Sequence, residues 1–458
     1  MIKERIFFIS RPSNGIYKAI SLGCKKHAEK LTKSKFKIQF YKKKFPTLKF
    51  FFFFFKNIIN LNFLNKKKYL NLSYKNCDIG RHATATTYRD LSTYNSTLHE
   101  VLNLIKYLFL AGVNVDHAYA IADNVKAAYI DHCGYLNGIY FRVFALKKKI
   151  IYTNNNPRGL FCIDFSKKKN KRLNKNEDAI RLFKTKIKHN SNNNKKKIFE
   201  FLKNPKLIPH MKNTKYKSMK LLNSKLKKYD HVVYCHSFID GSLWFGNDGF
   251  SNLQDWLEFT LKELKKNNAK AIIKAHPNFY RKIYSEVGKK DQKIFKKITD
   301  KYKSENFLII NKPISNYELM KKLSKKTILI SHHGTSLLEG ASLGFKTICS
   351  MATIWNPQFR ISNQWFNSND YSKVLKKKWE ELKFTNNSDL NNVLHQYINN
   401  KYAFTGNYHY LKIVCRHLMI DNFKGYEKEI DNVLNKAPQN SINKLASKLS
   451  SNIEKIYL

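Results

Sequence analysis

The sequence predicts an α/β protein built from two Rossmann-like domains that face a cleft. Its 458 residues are more than one hydrophobic core usually supports, so two domains are expected. From residue 230 onward, short apolar runs alternate with amphipathic stretches of helical spacing. Strict alternation of this kind is typical of right-handed βαβ crossovers and a doubly wound parallel sheet. The hydrophobic fraction of 43% supports a folded chain rather than a disordered one.

Composition divides the chain into four predicted segments. An α/β domain is expected at residues 1–165, and a Rossmann-like domain at residues 230–420. Between them, residues 166–229 are rich in lysine and asparagine, which is typical of a connector. Residues 421–458 are predicted to form a C-terminal helical tail.

The N-terminal segment contains two strand-like runs and one long helical stretch. The apolar runs "RIFFIS" and "KIIYT" predict strands. The stretch "STLHEVLNLIKYLFLAG" has helical spacing, with Ser96 or Thr97 as its cap and Gly112 immediately after its end.

Six consecutive phenylalanines, Phe50 to Phe55, stand within "LKFFFFFFKNIINLNFL". Lys56 and several asparagines interrupt this run well before the ~20 apolar residues that a membrane-spanning helix needs. The run is therefore interpreted as a buried element or an apolar surface patch. Because lysines lie on both sides, shallow attachment to the anionic inner leaflet of a membrane is a second interpretation.

The chain is strongly basic, with a net charge of +52 from 85 Lys and Arg against 33 Asp and Glu. Such a charge suits a polyanion or an acidic membrane surface. Most of the excess is lysine scattered among asparagines, however, as an A+T-rich genome alone would produce. No nucleic-acid-binding module accompanies the charge, so nucleic acid is not favoured as a partner.

The cysteines and the N-terminus indicate a cytoplasmic protein. Seven dispersed cysteines form no C-x-x-C pair, which favours free thiols in a reducing compartment over a disulfide framework or a zinc site. The apolar run near the N-terminus is too short for the h-region of a signal peptide.

The stretch "TILISHHGTSLLEGASLGFKTI", residues 327–348, predicts a strand, a tight turn, a helix and a second strand. In a parallel sheet, ligands collect at the carboxyl ends of strands, where helix N-termini offer backbone N–H groups to anions. Thr335 or Ser336 would cap the helix, and an ordinary capped turn is the alternative interpretation. The residues predicted to bind an anion are Ser331, His333, Gly334, Thr335 and Ser336.

Two further strand exits carry histidines. In "AIIKAHP", Lys274 and His276 are two residues apart, so an extended chain would present both on one side. In "HVVYCHSFIDG", a strand delivers His236 to the same edge of the sheet. A cation and imidazoles that converge there would suit a pyrophosphate, although each histidine singly could be a satisfied core residue. No H-E-x-x-H motif indicates zinc.

These motifs resemble the C-terminal half of bacterial capsule and surface-polysaccharide transferases with the GT-B architecture. The matching segments are "HSFIDG", "DWLEFTL", "IIKAHP" and "SHHGTSLLEGASLGFKTI". The K-x-H-P and S-x-x-G-T elements are also similar to those of teichoic-acid polymerases that use CDP-activated polyols and of H-P-motif sialyltransferases. The resemblance covers about residues 230–357 and is looser in the N-terminal half, through "DIGRHATATTYRD" and "YIDHCGYLNGIYFR".

The resemblance implies a metal-independent glycosyltransferase without a cofactor, which moves a sugar from a nucleotide-activated donor to a growing capsular or lipopolysaccharide-type glycan. Residues 230–420 would bind the donor, and residues 1–165 would face a glycan or lipid-linked acceptor. His276 would bind or polarise the donor phosphate as the H-P histidine, and the turn from Ser331 to Ser336 would cradle it. Glu339 would contact the nucleoside, with Lys274 and His236 as further donor-binding residues.

In GT-B enzymes the base that deprotonates the acceptor comes from the N-terminal domain. The candidates in this chain are Asp78, His82, Asp90 and Asp131. Asp78 and His82 flank Gly80 and Arg81 in the loosely matching segment and are the first choice for catalysis.

Three alternatives stay open at this point. One is a polyol-phosphate or sugar-phosphate transferase of the same fold. The others are a basic nucleic-acid-binding protein without transferase activity and a nucleotide-sugar epimerase. For the transferase, a lipid-linked acceptor would account for a basic surface that faces the inner membrane.

Overall fold

A computed structural model gives the architecture of two compact units, each with its own sheet. The residues that the structure describes are 5–10, 15–40, 47–59, 69–91, 98–131, 134–153, 161–167, 226–238, 243, 248–280, 285–351, 361–399, 427–451 and 453–456. Most of the predicted connector therefore lies outside the described residues. The five described cysteines are free thiols.

The first unit holds a six-stranded sheet in the order β12-β5-β4-β3-β1-β2. Its strands are β1 (Ile6–Ile9), β2 (Lys37–Phe40), β3 (Val125–Tyr129), β4 (Ile150–Thr153), β5 (Phe161–Asp164) and β12 (Glu454–Ile456). Neighbouring strands are parallel except β4 and β5, which are antiparallel. Because β1 lies between β2 and β3, the strand order reverses direction at β1.

Seven helices of the described residues belong to this unit: α1 (Gly15–Thr32), α2 (Leu48–Ile59), α3 (Ile79–Leu91), α4 (Leu98–Ala122), α5 (Gly138–Leu146), α12 (Glu427–Lys436) and α13 (Gln439–Ser450). The segment predicted as a C-terminal helical tail forms α12 and α13 and then adds β12 to the first sheet. Ile442 and Leu445 of α13 share a core with Ile20 and Cys24 of α1. The tail is thus part of the N-terminal core.

The helix α4 extends eleven residues beyond its predicted end, from Ala111 to Ala122. Gly112 was expected to follow the helix, but α4 runs from Leu98 to Ala122 and contains Gly112. A Cβ atom at Gly112 would lie 1.9 Å from Cε2 of Phe50, so the absent side chain makes room for that ring. The prediction was wrong because this glycine serves helix packing rather than helix termination. The predicted caps Ser96 and Thr97 lie outside the described residues.

The phenylalanine run forms α2, which is apolar on both faces. Phe50 and Phe54 are buried against α4, where both rings contact Phe109. Phe52 is 73% exposed, on the opposite face of the helix. Among the described residues, no helix combines the length and the hydropathy that crossing a membrane requires.

The second unit holds a six-stranded sheet in which every neighbouring pair is parallel, in the order β11-β10-β9-β6-β7-β8. Its strands are β6 (His231–Tyr234), β7 (Ala271–Lys274), β8 (Phe307–Ile310), β9 (Ile328–Ser331), β10 (Thr347–Ser350) and β11 (Asn363–Trp365). Counted from β6, this is the Rossmann order 3-2-1-4-5-6. The strand order reverses between β6 and β9.

Helices cover both faces of this sheet. They are α6 (Leu253–Lys266), α7 (Ser285–Lys301), α8 (Asn316–Lys321), α9 (Ser336–Ser342), α10 (Ser368–Leu375) and α11 (Asn387–Asn399). Trp256, Leu257 and Phe295 fill the core on one face, and Leu319 and Leu337 fill the core on the other. The predicted α/β class is confirmed, with a Rossmann-like parallel sheet in the second unit and a mostly parallel sheet in the first.

Candidate functional site

The candidate site lies at the switch point of the second sheet. β6 and β9 are parallel neighbours, and Tyr234 pairs with Ser331 at their carboxyl ends. Because the chain leaves these two strands in opposite directions, a crevice forms beyond their ends, where Rossmann-like proteins bind ligands. His236 follows β6, and the turn from Ser331 to Ser336 follows β9. The topology therefore places both predicted motifs at the ligand-binding edge.

Imidazoles from three strand exits stack on one another at this edge. The ring centroids of His236 and His333 are 4.0 Å apart, and those of His236 and His276 are 5.4 Å apart. The rings are nearly parallel, with interplanar angles of 23° and 21°. The fold thus assembles residues that are distant in sequence into one row. We refer to His236, His276, His332 and His333 as the histidine cluster.

The turn after β9 packs closely around Gly334. A Cβ atom built on Gly334 would lie 2.9 Å from Oγ of Ser331, 3.0 Å from Oγ of Ser336 and 3.3 Å from Nε2 of His236. Ser331 Oγ donates to the carbonyl of Tyr234 at 3.0 Å and ties the turn to β6. The structure therefore brings these predicted donor-binding residues together, with glycine at the point of closest approach.

Thr335 precedes α9 but does not cap it. Its side chain makes no capping hydrogen bond, in contrast to one of the two caps expected from the sequence. The residue is exposed, whereas the next residue, Ser336, is buried. The Thr335 hydroxyl is accordingly at the surface of the turn, where a ligand could reach it.

A buried carboxylate that the sequence analysis did not single out supports the cluster. Asp248 Oδ2 lies 2.8 Å from Nε2 of His332 and also accepts a hydrogen bond from Ser350. Asp248 and His332 are both buried, and the indoles of Trp256 and Trp365 meet the His332 ring edge to face. Burial alone would raise the pKa of Asp248, but His332 and the hydrogen bonds hold it below its usual value.

The hydrogen-bond pattern restricts where the protons of the cluster sit. Nδ1 of His332 and Nδ1 of His333 are 2.6 Å apart, so these two nitrogens share a single proton. An ionised carboxylate only accepts, so Nε2 of His332 carries the hydrogen of the contact with Asp248. Where His332 also supplies the hydrogen between the two Nδ1 atoms, His333 accepts at Nδ1 and carries its own hydrogen on Nε2. An N–H donor of this kind suits a phosphate oxygen.

Two of the stacked histidines, His236 and His333, are neutral near pH 7. Burial, and secondly the charge of His332, lowers the pKa of His236 to about 3. Burial, together with the neighbouring histidines, lowers the pKa of His333 well below its usual value. The cluster therefore offers neutral hydrogen-bonding groups in front of the ion pair of His332 and Asp248.

Lys274 and Glu339 interact with each other in the structure. Lys274 is buried, and burial lowers the pKa of its ammonium to about 8 although Glu339 opposes the shift. Burial likewise raises the pKa of Glu339, which accepts a hydrogen bond from Asn316 at 2.9 Å. The Lys274 ammonium also lies 5.8 Å from the ring centroid of Tyr234. These contacts give both residues a structural role in the second unit.

In the first unit, Asp131 lies at the corresponding switch point. It follows β3 and accepts hydrogen bonds from Ser10 Oγ, just after β1, at 3.2 Å and from Asn137 Nδ2 at 3.0 Å. β1 and β3 are the parallel neighbours between which this strand order reverses. Asp131 thus occupies the position where a parallel sheet binds ligands.

The other three candidates for the base are less favourably placed. Asp78 accepts from Ser73 Oγ at 3.0 Å beside the start of α3. His82 is buried, and burial, with Arg81 as the second cause, lowers its pKa to about 3. Asp90 is exposed in the last turn of α3. In the part of the chain that the structure describes, no group of three or more His, Cys, Asp or Glu could hold a metal ion.

Comparison with known proteins finds similarity only among solved structures. No protein-family model and no curated protein sequence matches the chain. One similar structure is the KpsC β-Kdo 2,4 transferase of Thermosulfurimonas dismutans, with 11% identity, a TM-score of 0.33, and coverage of 59% of this chain and 80% of that one. Another is the UDP-GlcNAc 2-epimerase of Methanocaldococcus jannaschii, solved with UDP-GlcNAc and UDP (14%, TM-score 0.29, 87% and 100% of the chains).

A third similar structure is an α,α-trehalose-phosphate synthase from Burkholderia xenovorans, solved with glucose-6-phosphate. It has 9% identity and a TM-score of 0.32, and the match covers 80% of this chain and 78% of that chain. Scores and identities of this size do not assign a function, which has to be argued from the residues of the site.

Proposed function

We propose that the protein is a transferase that binds a nucleotide-activated sugar at the histidine cluster and transfers the sugar to an acceptor hydroxyl. The observation that carries this proposal is the stack of His236, His276 and His333 beside Gly334 at the switch point of a Rossmann-like sheet. Three strand exits contribute to it, as a phosphate-binding edge requires.

The chemistry asks for hydrogen-bond donors at the leaving phosphate. When the glycosidic bond to that phosphate breaks, negative charge develops on the phosphate oxygens, and preorganised donors stabilise this charge. His333 would donate from Nε2, and the backbone could approach the phosphate at Gly334. The ion pair of His332 and Asp248 fixes this tautomer from behind. In this proposal imidazole and backbone N–H groups take the place of a metal ion.

The acceptor hydroxyl has to lose a proton to a base. We assign this role to Asp131, because it lies at the switch point of the first sheet with two hydrogen-bond donors that hold its carboxylate. His82 is a poorer base, since burial keeps its imidazole neutral and weakly basic. The motif resemblance supports a glycan or lipid-linked acceptor of a surface polysaccharide.

A ligand screen tests the proposal. Melting temperatures of the full chain are measured with CMP, CDP, UDP, GDP and their sugar conjugates, because a ligand of the native state raises its melting temperature. At least one nucleotide should raise it, and His276→Ala should remove the shift. The exposed His99→Ala serves as the control. If no nucleotide shifts the transition while RNA binds at moderate salt, a nucleic-acid-binding protein is the better description.

Turnover of the donor is the second measurement that tests the proposed function. With the activating nucleotide identified, His276→Ala and Thr335→Ala should each abolish turnover of the donor in a folded protein. Near-normal turnover by both variants would show that the donor phosphate binds elsewhere. Conversion of the donor without any acceptor would instead indicate an epimerase.

A further inference from the structure

We propose that the exposed aromatic face of α2 docks the protein on an anionic lipid surface. We define this face, with its extension on α4, as the phenylalanine patch. Its members are Leu48, Phe51, Phe52, Phe55, Ile59, Leu98 and Leu102, all among the exposed large hydrophobic side chains. The inference does not depend on the transferase activity.

The opposite face of α2 packs against α4, so the exposed face of α2 is oriented toward solvent. Phe50 and Phe54 are buried, and the Phe54 ring lies 5.1 Å from that of Phe109 on α4. Phe50 and Phe54 therefore already fill the face of α2 that packs against the protein. Phe52 and Ile59, on the other side of the helix, are 73% and 80% exposed. Large apolar side chains that are exposed together to water are typical of an interaction surface.

The patch continues onto the neighbouring helix. Thr47, just before α2, hydrogen-bonds Asp116, while Phe54 contacts Phe109 farther toward the start of α4. The two helices therefore run antiparallel, and the Ile59 end of α2 points toward the first turns of α4. Leu98 and Leu102 are exposed in those turns. Exposed apolar side chains are thus present on both helices of this pair.

The chemistry of the patch fits lipid better than protein. Its members offer no side-chain hydrogen-bond donor or acceptor, whereas protein interfaces are enriched in Tyr, Trp and Arg that make polar contacts at their centre. The 12 residues of α2 give a helix of roughly 18 Å, too short to span a hydrocarbon core of roughly 30 Å. A helix of this kind lies in the plane of the membrane interface.

Charge selects the kind of lipid. α2 carries Lys49 and Lys56 and no acidic residue. On a helical projection these lysines lie side by side at one border of the exposed face, where long side chains can reach lipid phosphates. The net charge of +52 attracts the whole molecule to an anionic surface and opposes contact between two copies of the chain through this face.

Vesicle co-sedimentation of the full chain tests the proposal. Vesicles of phosphatidylcholine mixed with phosphatidylglycerol should bind the protein, and vesicles of phosphatidylcholine alone should bind it more weakly. The double variant Phe52→Ser, Phe55→Ser should bind the mixed vesicles at least about tenfold more weakly, since each exposed ring loses its burial in the acyl region. Phe52 is 73% exposed, but Phe55 is only 47% exposed and packs on Phe51, so the melting temperature of the variant is compared with that of the wild type, and Phe52→Ser alone is tested beside it. Phe366→Ser, at an exposed phenylalanine of the second unit, is the matched control.

Three outcomes would overturn the inference. The double variant could bind mixed vesicles as the wild type does, or binding by the wild type could vanish completely at a salt concentration that screens surface charge, which would leave no role for the aromatic face. Alternatively, light scattering could show that the substitutions change self-association while vesicle binding is unaffected. In that case the patch joins copies of the chain.

Discussion

His332 and Asp248 form a buried ion pair, with 2.8 Å between Nε2 of the ring and Oδ2 of the carboxylate. The pair stands behind His333, whose Nδ1 is 2.6 Å from Nδ1 of His332. The carboxylate of Asp248 faces the hydrogen on Nε2 of His332. Through the contact between the two Nδ1 atoms, this arrangement influences which nitrogen of His333 carries a hydrogen. Asp248 is a positioning residue in this arrangement, since it acts on the ligand only through the two histidines.

Replacing Asp248 by Asn should weaken nucleotide binding. The amide can donate as well as accept, so the hydrogen on Nε2 of His332 is no longer fixed, and neither is the position of the hydrogen on His333. The loss of a hydrogen bond to a charged group predicts a decrease in affinity of roughly 10–100-fold, which titration calorimetry would measure. Asp300→Asn, at an exposed carboxylate of α7, should leave the affinity unchanged.

Nitrogen-15 NMR of the imidazole rings separates this role from simple structural support. In the wild type, Nε2 of the ring assigned to His332 through a His332→Gln spectrum should carry a hydrogen, because it faces the Asp248 carboxylate. In Asp248→Asn that signature should disappear. A drop in affinity with an unchanged signature would contradict the assigned proton arrangement.

Much of the second unit could be predicted from the sequence because its strands are buried on both faces. In β9 (Ile328–Ser331), every residue before the final serine is apolar, so length and flanking turns define the strand without long-range information. Because the strands could be predicted, the positions of the three histidine motifs at strand exits could be predicted as well. The pairing of Asp248 with His332 could not be predicted, since it joins two loops whose approach depends on the folded sheet.

In the first unit, local patterns were less informative. Gly112 has the sequence signature of a helix end, yet it lies inside α4 because the Phe50 ring needs the space. The addition of β12 beside β5 at the sheet edge could not be predicted either, because pairing between strands far apart in the sequence leaves no local signal. The continuation of α4 through Gly112 and the pairing of β12 with β5 both depend on tertiary contacts that override local propensity.

His231→Leu should make the second unit less sensitive to acid. His231 lies at the start of β6, and neither ring nitrogen has a hydrogen-bond partner among the described residues. Burial lowers its pKa to about 4. Because the unfolded chain takes up a proton near pH 6.5 and the folded chain does not, His231 makes the unit lose stability as the pH falls from about 6.5 to 4.

The measurement is the free energy of unfolding in urea at pH 7.5 and at pH 5. The wild type should lose about 1–3 kcal/mol more than His231→Leu between these two values. His99→Leu, at an exposed histidine, should behave as the wild type. An identical pH dependence for the wild type and His231→Leu would mean that water reaches the ring in the folded state.

Lys274→Met and Glu339→Gln should be strongly coupled. Each single change removes the opposite charge that acts on the other buried group, so each should lower the free energy of unfolding. The double variant should cost less than the sum of the single variants, by a coupling energy of about 0.5–3 kcal/mol. Urea unfolding of the four proteins gives this energy.

The same four proteins distinguish a structural role from ligand binding. Stable single variants that bind the nucleotide weakly would indicate that Lys274 and Glu339 contact the donor directly, as the motif resemblance implies. Additive losses of stability would show that the two side chains do not interact. The contacts of Glu339 with Asn316 and of Lys274 with the Tyr234 ring favour coupling.

Asp131→Asn should remove the base and leave donor binding intact. Asp131 accepts hydrogen bonds from Ser10 and Asn137 at the switch point of the first sheet, and asparagine keeps the shape and one acceptor oxygen. Loss of general base catalysis predicts a decrease in kcat of about 10²–10⁴-fold, with an unchanged dissociation constant for the nucleotide. Asp78→Asn is the matched comparison, because Asp78 is also a hydrogen-bonded carboxylate of the first unit. If Asp78→Asn loses turnover and Asp131→Asn keeps it, the base lies in the segment that the motif resemblance favoured. If both keep it, the proton leaves the acceptor through a group outside this pair.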